Sequence, residues 1–495
     1  MESQQVNDPV LSNIYANAFN IPIELARILA YRLPKYGEAS KFLKPQLSDL
    51  HEPDLLPDIA VVSDRLMNKI QKNEPILIYG HDDPDGFTSA ALMFKTLKET
   101  SRGEAPEIHV YIFDREKDGY IINPDILKKF RRSGCNTILT VDFGISSAEN
   151  FRIARENNFE LLVCDHHETK LNSFPMPAID PKRPDSKYPF RDLAGVGVAL
   201  KLAIFLYRQI LGLSSEEFFA LKKEFLALAM IGTIADRVTL LNENRVLCHA
   251  GIDAANKISY GWLHEFQKIA TIDFGRVISE IIPTIASAAY VDPQMAIELL
   301  VSDETERIQI LVAELKEMTR QRRSKSDELL KEVLLTAKLY PNLALCVVPC
   351  VGQHYLGSIA ARVRDHYKRV ALIIGIKDDR CHGELRSTGL HLHDILSQHS
   401  DLFIDFGGHQ KAAGFTAEYR DLEPIVELIT KAIDSQTNII EPTVPVHPEA
   451  TIAKDRISVL RPMLPFGDGN KPPLLTDGVS LYTIDNWLNI SEKGI

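Results

Sequence analysis

From residue 76 the chain sets four short, continuously apolar runs between helical stretches: ILIYG (76–80), HVYIF (109–113), TILTVD (137–142) and LLVCD (161–165). A strand that is apolar at every position has no face left for water. Runs of this kind therefore belong to a parallel sheet covered by helices on both faces, which predicts an α/β fold. In such sheets chemistry gathers beyond the carboxyl ends of the strands. Three of the four runs lead directly into polar residues. The first gives His81, Asp83 and Asp85 in GHDDPDGFTSA, the third gives Asp142 in TVDFGISS, and the fourth gives Asp165, His166 and His167 in CDHHET.

The rest of the chain divides around this sheet. Residues 1–70 read as an N-terminal helical segment, with Leu25, Ile28, Leu29 and Leu33 at helical spacing. The first α/β domain takes residues 71–265, with helices over 197–232, and a helical connector takes 266–338. Within the connector, 304–338 is a long amphipathic stretch with Ile308, Leu311, Leu315 and Met318 on one face. LALCVVP (343–349) and VALIIGI (370–376) open a second, smaller α/β domain over 339–440. The Pro-rich EPTVPVHPEA (441–450) begins a linker and short final segment over 441–495.

Length and composition exclude several classes. At 495 residues the chain exceeds one ordinary domain. Its first residues, MESQQVNDPV, lack the basic-then-apolar profile of a signal peptide. The longest uncharged stretch, Tyr340 to Ala361, is interrupted by Pro, Asn, Gln and His and is no membrane span. A cytoplasmic protein is expected. Its six cysteines (135, 164, 248, 346, 350, 381) form no CxxC pair and read as buried thiols. The formal charge of −11 argues against non-specific coating of nucleic acid. It leaves room for an enzyme that grips phosphates locally, since carboxylates gathered around metal ions inflate the negative count.

Taken singly, each of these aspartates is a helix cap or a turn residue. Gathered at the strand ends of one sheet, with Asp236 closing the apolar helix AMIGTIADRV, they are a different object. Four or five carboxylates with two or three imidazoles suit two divalent cations of mixed O/N preference, such as Mn²⁺. Without a cation, their mutual repulsion would be costly. Two cations about 3.5–4 Å apart lower the pKa of an attacking water and neutralise charge building on phosphorus. The expected chemistry is hydrolysis of a phosphodiester or phosphoanhydride.

These motifs also carry a resemblance. GHDDPDGFTSA, TVDFGISS, CDHHET and the later Asp236 resemble the successive motifs of the DHH phosphoesterase superfamily. Their spacing and flanks are similar to its RecJ branch, exonucleases specific for single strands. The likeness continues in order through YIFDREKDGY (111–120), DLAGVGVALKLA (192–203) and GTIADRVTLLNENR (232–245). It extends through GELRS (383–387), FGGHQKAAGF (406–415) and LPFGDGNKPP (464–473), spanning most of residues 76–475.

The resemblance implies a DHH domain and a DHH-associated domain facing each other across a cleft and joined by the long helix, with a partial OB-like segment at the C-terminus. It implies two Mn²⁺ or Mg²⁺ ions held or closely supported by His81, Asp83, Asp85, Asp142, Asp165, His166 and Asp236. His167 would lie beside them, and Asp142, His167 and His409 would serve catalysis, His409 from a loop opened by Gly407 and Gly408. Arg115 and Arg386, with Ser387 and Arg362, would hold the strand, and the basic run RQRRSK (320–325) could track its backbone.

The sequence departs from the family pattern at four places. His81 stands at an acidic position. Thr284 and Tyr290 replace both arginines of PRxNAxGR, Glu384 enters the GSxRS motif, and little chain follows PFGDGN. The implied function is metal-dependent 5′→3′ degradation of single-stranded DNA to mononucleotides in repair and recombination. A repair helicase or single-strand-binding protein would be a partner, and no membrane is involved. Two other readings stand beside it. One is a phosphodiesterase on short oligonucleotides or cyclic dinucleotides, favoured by the thinned arginine set. The other is a non-catalytic scaffold in a replication assembly, which erosion of the metal ligands would mark.

Overall fold

The computed structural model describes residues 8–101, 105–113, 121–169, 171, 173–349, 352–377, 379–387, 389–409, 411–437 and 447–484. The chain forms two compact units. One combines the residues up to Lys316 with those from His447 onward, and the other is Glu317–Val446.

The first unit is built on five parallel strands, β1 (Ile76–Gly80), β2 (Ile108–Ile112), β3 (Thr137–Val141), β4 (Glu160–Cys164) and β5 (Ala178–Ile179), in the order β2-β1-β3-β4-β5. Every residue of β1 and β3 is buried, which is why these runs are mostly apolar and carry no charge. Leu77, Tyr79, Ile138, Leu161 and Val163 pack with Phe113, Phe143, Phe151 and Phe159 in one cluster. Helices Pro84–Glu99, Gly195–Leu211 and Lys223–Ala235 pack on one another, and the first two also pack against the sheet. Lys223–Ala235 is buried from Phe225 to Ile234, as an apolar helix with no polar face must be. Because β1 leads to β2 on one side while β3 lies on the other, the strand order reverses between β1 and β3. Ligands of open α/β sheets bind at the carboxyl ends beside that reversal.

Among the described residues no single helix is long and apolar enough to cross a membrane. Cys135, Cys164, Cys248, Cys346 and Cys381 are buried and free. Cys350 lies outside the described residues.

Two buried polar knots fasten the ends of the chain to this unit. Lys201 and Glu243, each 1% exposed, pair at 2.7 Å. The same carboxylate accepts the His51 amide (2.8 Å) and the Tyr188 hydroxyl (2.8 Å), and the ammonium also donates to the His51 carbonyl (2.6 Å). Arg245, fully buried, donates to the carbonyls of Phe42 (2.6 Å), Pro462 (2.9 Å) and Met463 (3.3 Å), and its guanidinium lies 3.7 Å from the Phe42 ring centroid. Arg32 grips Glu449 with both Nε and Nη2.

The C-terminal segment is where the resemblance implied a partial OB-like fold. Its described residues make three two-residue strands, β12 (Ala450–Thr451), β13 (Leu475–Thr476) and β14 (Leu481–Tyr482), and a 3₁₀ stretch Lys454–Met463. An OB fold is a five-stranded barrel, and these residues form none. Leu460, Met463, Leu464, Phe466 and Leu475 are buried, and the segment packs on the N-terminal helices Ile23–Arg32 and Tyr36–Leu43. Its apolar residues therefore serve docking rather than a core of their own.

The helix Thr305–Thr336 matches the predicted long stretch, and the boundary between the units falls inside it. The second unit is a six-stranded sheet of β6 (Lys338–Leu339), β7 (Leu343–Pro349), β8 (Val370–Lys377), β9 (Arg380–Arg386), β10 (Asp405–His409) and β11 (Ala412–Glu418). Its order is β10-β11-β9-β8-β7-β6. Only β7 and β8 are parallel, joined by the crossover helix Gln353–Tyr367 that parallel pairing requires. On β9, Cys381 and Leu385 enter the core, while His382, Glu384 and Arg386 alternate to the other face. Residues 438–446, most of the expected linker, lie outside the described residues.

Candidate metal centre

The loop after β1 runs straight into a helix. Asp83 is its N-cap and Pro84 its first residue, a position that needs no amide hydrogen. One Asp83 oxygen accepts the amides of Asp85 (3.1 Å) and Gly86 (3.0 Å), while the other faces His81 Nδ1 at 3.1 Å. Asp85 does a second capping job. Its two oxygens accept the amides of Gly195 (2.7 Å) and Val196 (2.9 Å), the start of the Gly195–Leu211 helix. Two helix N-termini thus point at the strand ends and favour negative charge there.

Asp142 follows β3 with φ 61, a left-handed conformation that costs energy outside glycine. Its amide donates to the Cys164 carbonyl (3.0 Å), which fixes it against the end of β4. Its side chain is buried, and Oδ1 accepts no hydrogen bond among the described residues. His166 Nε2 stands 3.1 Å from that oxygen, 3.5 Å from Asp236 Oδ2 and 4.0 Å from Asp85 Oδ2.

Three sets of donor atoms each fall within 4.8 Å: His81, Asp83 and Asp142; Asp85, His166 and Asp236; and Asp142, His166 and His167. Asp142 belongs to two of them. Burial, then the charge of Asp83, pushes Asp85 up to about 7. Burial, then Asp85, Asp83, Asp236 and Asp165, pushes Asp142 well above the carboxylate range. Burial and Asp85 do the same to Asp236. Carboxylates held against their own repulsion, one with a buried oxygen that accepts no hydrogen bond, fit a cationic occupant. The mixed carboxylate and imidazole donors suit Mn²⁺ or Mg²⁺ better than a thiolate-seeking metal.

Asp165, expected among the ligands, enters none of these sets. Its Oδ2 accepts the Ile145 amide (2.9 Å), and its Oδ1 accepts the His166 amide (2.7 Å) and faces His167 Nδ1 at 2.7 Å. Burial alone would raise its pKa, but the positive charge of His167 holds the carboxyl well below the usual range. Burial would likewise lower His167, and Asp165 instead raises it to about 9. Asp165 therefore orients both histidines, and its type gave no hint of that role. Outer partners of this kind are worth about 10–100-fold in affinity or activity. Asp165→Asn is expected to lose that much activity while Mn²⁺, followed by calorimetry, still binds.

Three residues near the centre carry roles that the sequence reading did not assign. A Cβ on Gly195 would lie 2.5 Å from Asp142 Oδ1, and one on Gly232 would lie 2.5 Å from Asp85 Oδ1. Both glycines sat within quoted motifs without a role. Asp180 follows β5, buried, with Oδ1 accepting the Lys182 amide (2.6 Å). A two-residue strand is too short for periodicity to reveal. Gly195→Ala must displace Asp142, and misplacement of about 1 Å costs on the order of 10²-fold in rate. A loss of that size with an unchanged melting temperature is expected.

The remaining predicted residues lie in the second unit or outside the described residues. Antiparallel register sets Arg386 opposite Ala412, and Ala412 opposite His409. The next row holds Glu384, Gly414 and Gly407. Gly408 has φ 129 and admits no Cβ. Ser387 is buried, its hydroxyl bonded within the turn to Leu390. Arg362 is exposed and paired with Asp327 at 2.7 Å, and Arg320 of the basic run pairs with Glu317. Arg115 and the side chain of His409 lie outside the described residues. In the first unit, Thr284 is buried and donates to the Glu280 carbonyl (2.7 Å), so it does not present a strand-binding group.

Comparison with known proteins places this arrangement. Residues 75–233 match the DHH family, N-terminal domain, and residues 343–435 match the DHHA1 domain. The single-stranded-DNA-specific exonuclease RecJ of Bacillus subtilis is 30% identical over 93% of this chain, which spans 60% of that protein's length. The Haemophilus influenzae protein of the same name is 28% identical over 77% of this chain and 70% of its own length. Among solved structures, Thermus thermophilus RecJ in complex with Mn²⁺ shares the fold at TM-score 0.78 and 24% identity, over 94% of this chain and 67% of that one. A manganese-bound exonuclease RecJ superposes at TM-score 0.64 and 25% identity, over 80% and 97%. With its strand-end carboxylates, its Asp-His-His segment and both domain matches in order, the chain is similar to proteins of the DHH family over residues 75–233 and 343–435.

Proposed function

We propose that this chain is a metal-dependent exonuclease that degrades single-stranded DNA from the 5′ end to mononucleotides, in DNA repair and recombination. One observation carries the reading. Donor groups from three strand ends and one helix end converge in overlapping sets within 4.8 Å, with Asp142 shared. Two divalent cations, Mn²⁺ or Mg²⁺, would supply a water of lowered pKa and neutralise charge at phosphorus.

His81, Asp83 and Asp142 would hold one cation, and Asp85, Asp142, His166 and Asp236 the other. Asp165 fixes the ring of His167 through Nδ1, so that Nε2 would be the nitrogen to meet a phosphate oxygen that gains charge. The phenyl rings of Phe113 and Phe143 and the apolar sheet behind them exclude bulk water, which strengthens these interactions. Arg386 and the Gly407–Gly408 backbone of the second unit would bind the strand end. The RecJ relatives' names support the substrate, and the free buried thiols fit the cytoplasm. A repair helicase or single-strand-binding protein would deliver unwound strand.

Purified protein with Mn²⁺ should shorten a 3′-labelled single strand stepwise and leave the duplex intact. Cleavage confined to dinucleotides would instead establish the small-substrate phosphodiesterase. Inactivity on every substrate would establish the scaffold.

A further inference from the structure

Glu384 and Arg386 stand two residues apart on β9, on the face away from the core residues Cys381 and Leu385. Arg386 Nη1 donates to Glu384 Oε2 at 2.7 Å and to the Leu385 carbonyl at 2.8 Å. The pair is housed rather than splayed on the surface, with side-chain exposures of 18% for Arg386 and 29% for Glu384. Two glycines make the room. A Cβ on Gly357 would lie 2.5 Å from Arg386 Nη2, and one on Gly414 would lie 2.9 Å from Glu384 Oε1. In the sheet, Ala412, Gly414 and Gly407 stand in register on one side of the pair and Ala371 and Ile373 on the other, none of them charged, so Glu384 is the charge that the sheet sets beside the guanidinium.

A guanidinium edge takes carboxylate and phosphate by the same fork geometry. Here the chain's own carboxylate already occupies part of it. A terminal phosphate monoester, with a charge of about −1.5 to −2, would have to displace Glu384 or sit beside it against like-charge repulsion. A strand end bearing a hydroxyl meets no such opposition.

We propose that Glu384 is a specificity-determining residue: as the built-in counter-ion of Arg386, it lowers the preference of this chain for strand ends that carry a terminal phosphate. The inference rests on the strand-end binding proposed above for the second unit, and it is separable from cleavage by measuring binding alone.

The test uses the full chain in chelator, with fluorescence anisotropy on a single strand carrying either a 5′-phosphate or a 5′-hydroxyl. Wild type should bind the two ends with nearly equal Kd. Glu384→Gln, which keeps the shape and a hydrogen bond to Arg386, should shift the ratio toward the phosphate end by about tenfold. Combining it with Arg386→Gln should return the ratio to the wild-type value, a reversal that a general loosening of the fold would not produce. A ratio unchanged in Glu384→Gln, a gain that persists without Arg386, or no strand binding by any variant would overturn the inference. Binding with the expected ratios but no cleavage in Mn²⁺ would overturn only the exonuclease reading.

Discussion

Replacing Asp142 by Asn should abolish hydrolysis while leaving the protein folded. Asn keeps the shape of the side chain but removes the charge that belongs to two of the three donor sets. Lewis-acid stabilisation at phosphorus is worth several kcal/mol, and each ~1.4 kcal/mol is a factor of ten. The expected loss in kcat/KM is therefore about 10³-fold or more. The sign of the stability change runs the other way. Burial and neighbouring carboxylates raise the Asp142 pKa in the folded chain, so the folded state binds that proton more tightly than the unfolded one. The stability this contributes is full at low pH and is lost as pH rises through the folded value. At neutral pH in chelator, Asp142→Asn is thus expected to melt at or above wild type, and Mn²⁺ should no longer raise its melting temperature. Retention of activity within tenfold of wild type would contradict the shared role.

Removing Glu243 should have the largest effect on stability. Burial drives the Lys201 ammonium toward its neutral form, and Glu243 is the charge that opposes this. With Ala at 243, Lys201 is left buried without its counter-ion, and the His51 amide and Tyr188 hydroxyl lose their acceptor. Breaking a buried pair by deleting one partner costs about 3–5 kcal/mol, which urea unfolding would read directly. Replacing both members by apolar residues of similar volume should restore much of it. The consequence also reaches function. Lys201 sits on the helix whose first amides donate to Asp85, and His51 ties the N-terminal segment to that helix. A cost below about 1 kcal/mol would show that the knot is not closed in solution.

The parts of this protein that were legible in its sequence are those where one requirement dominates. β1 and β3 are buried at every position, so burial on both faces writes a run without a charged side chain. The helix over 305–336 has one apolar stripe and showed it. β10 and β11 did not stand out, because Gly407, Gly408 and Gly414 interrupt alternation where close approach is needed. The same limit applied to the centre. Seven acidic and imidazole side chains were identified by type and position, but type does not tell a ligand from its support. Asp165 differs from Asp142 only in where its oxygens are spent. Those of Asp165 go to backbone amides and His167, whereas Asp142 keeps a buried oxygen that accepts no hydrogen bond among the described residues. Gly195 and Gly232 matter through space that only the fold defines. The OB-like segment was expected from resemblance and not from any residue pattern, and the described residues show three short strands there.

The central claim is that the strand ends build one site for two cations around Asp142. Calorimetric titration of metal-stripped protein with Mn²⁺ tests it most directly. The account predicts two Mn²⁺ per chain, with binding lost in Asp142→Asn and retained in Asp165→Asn. A chain that binds no Mn²⁺, or an Asp142→Asn variant that still binds two, would contradict it.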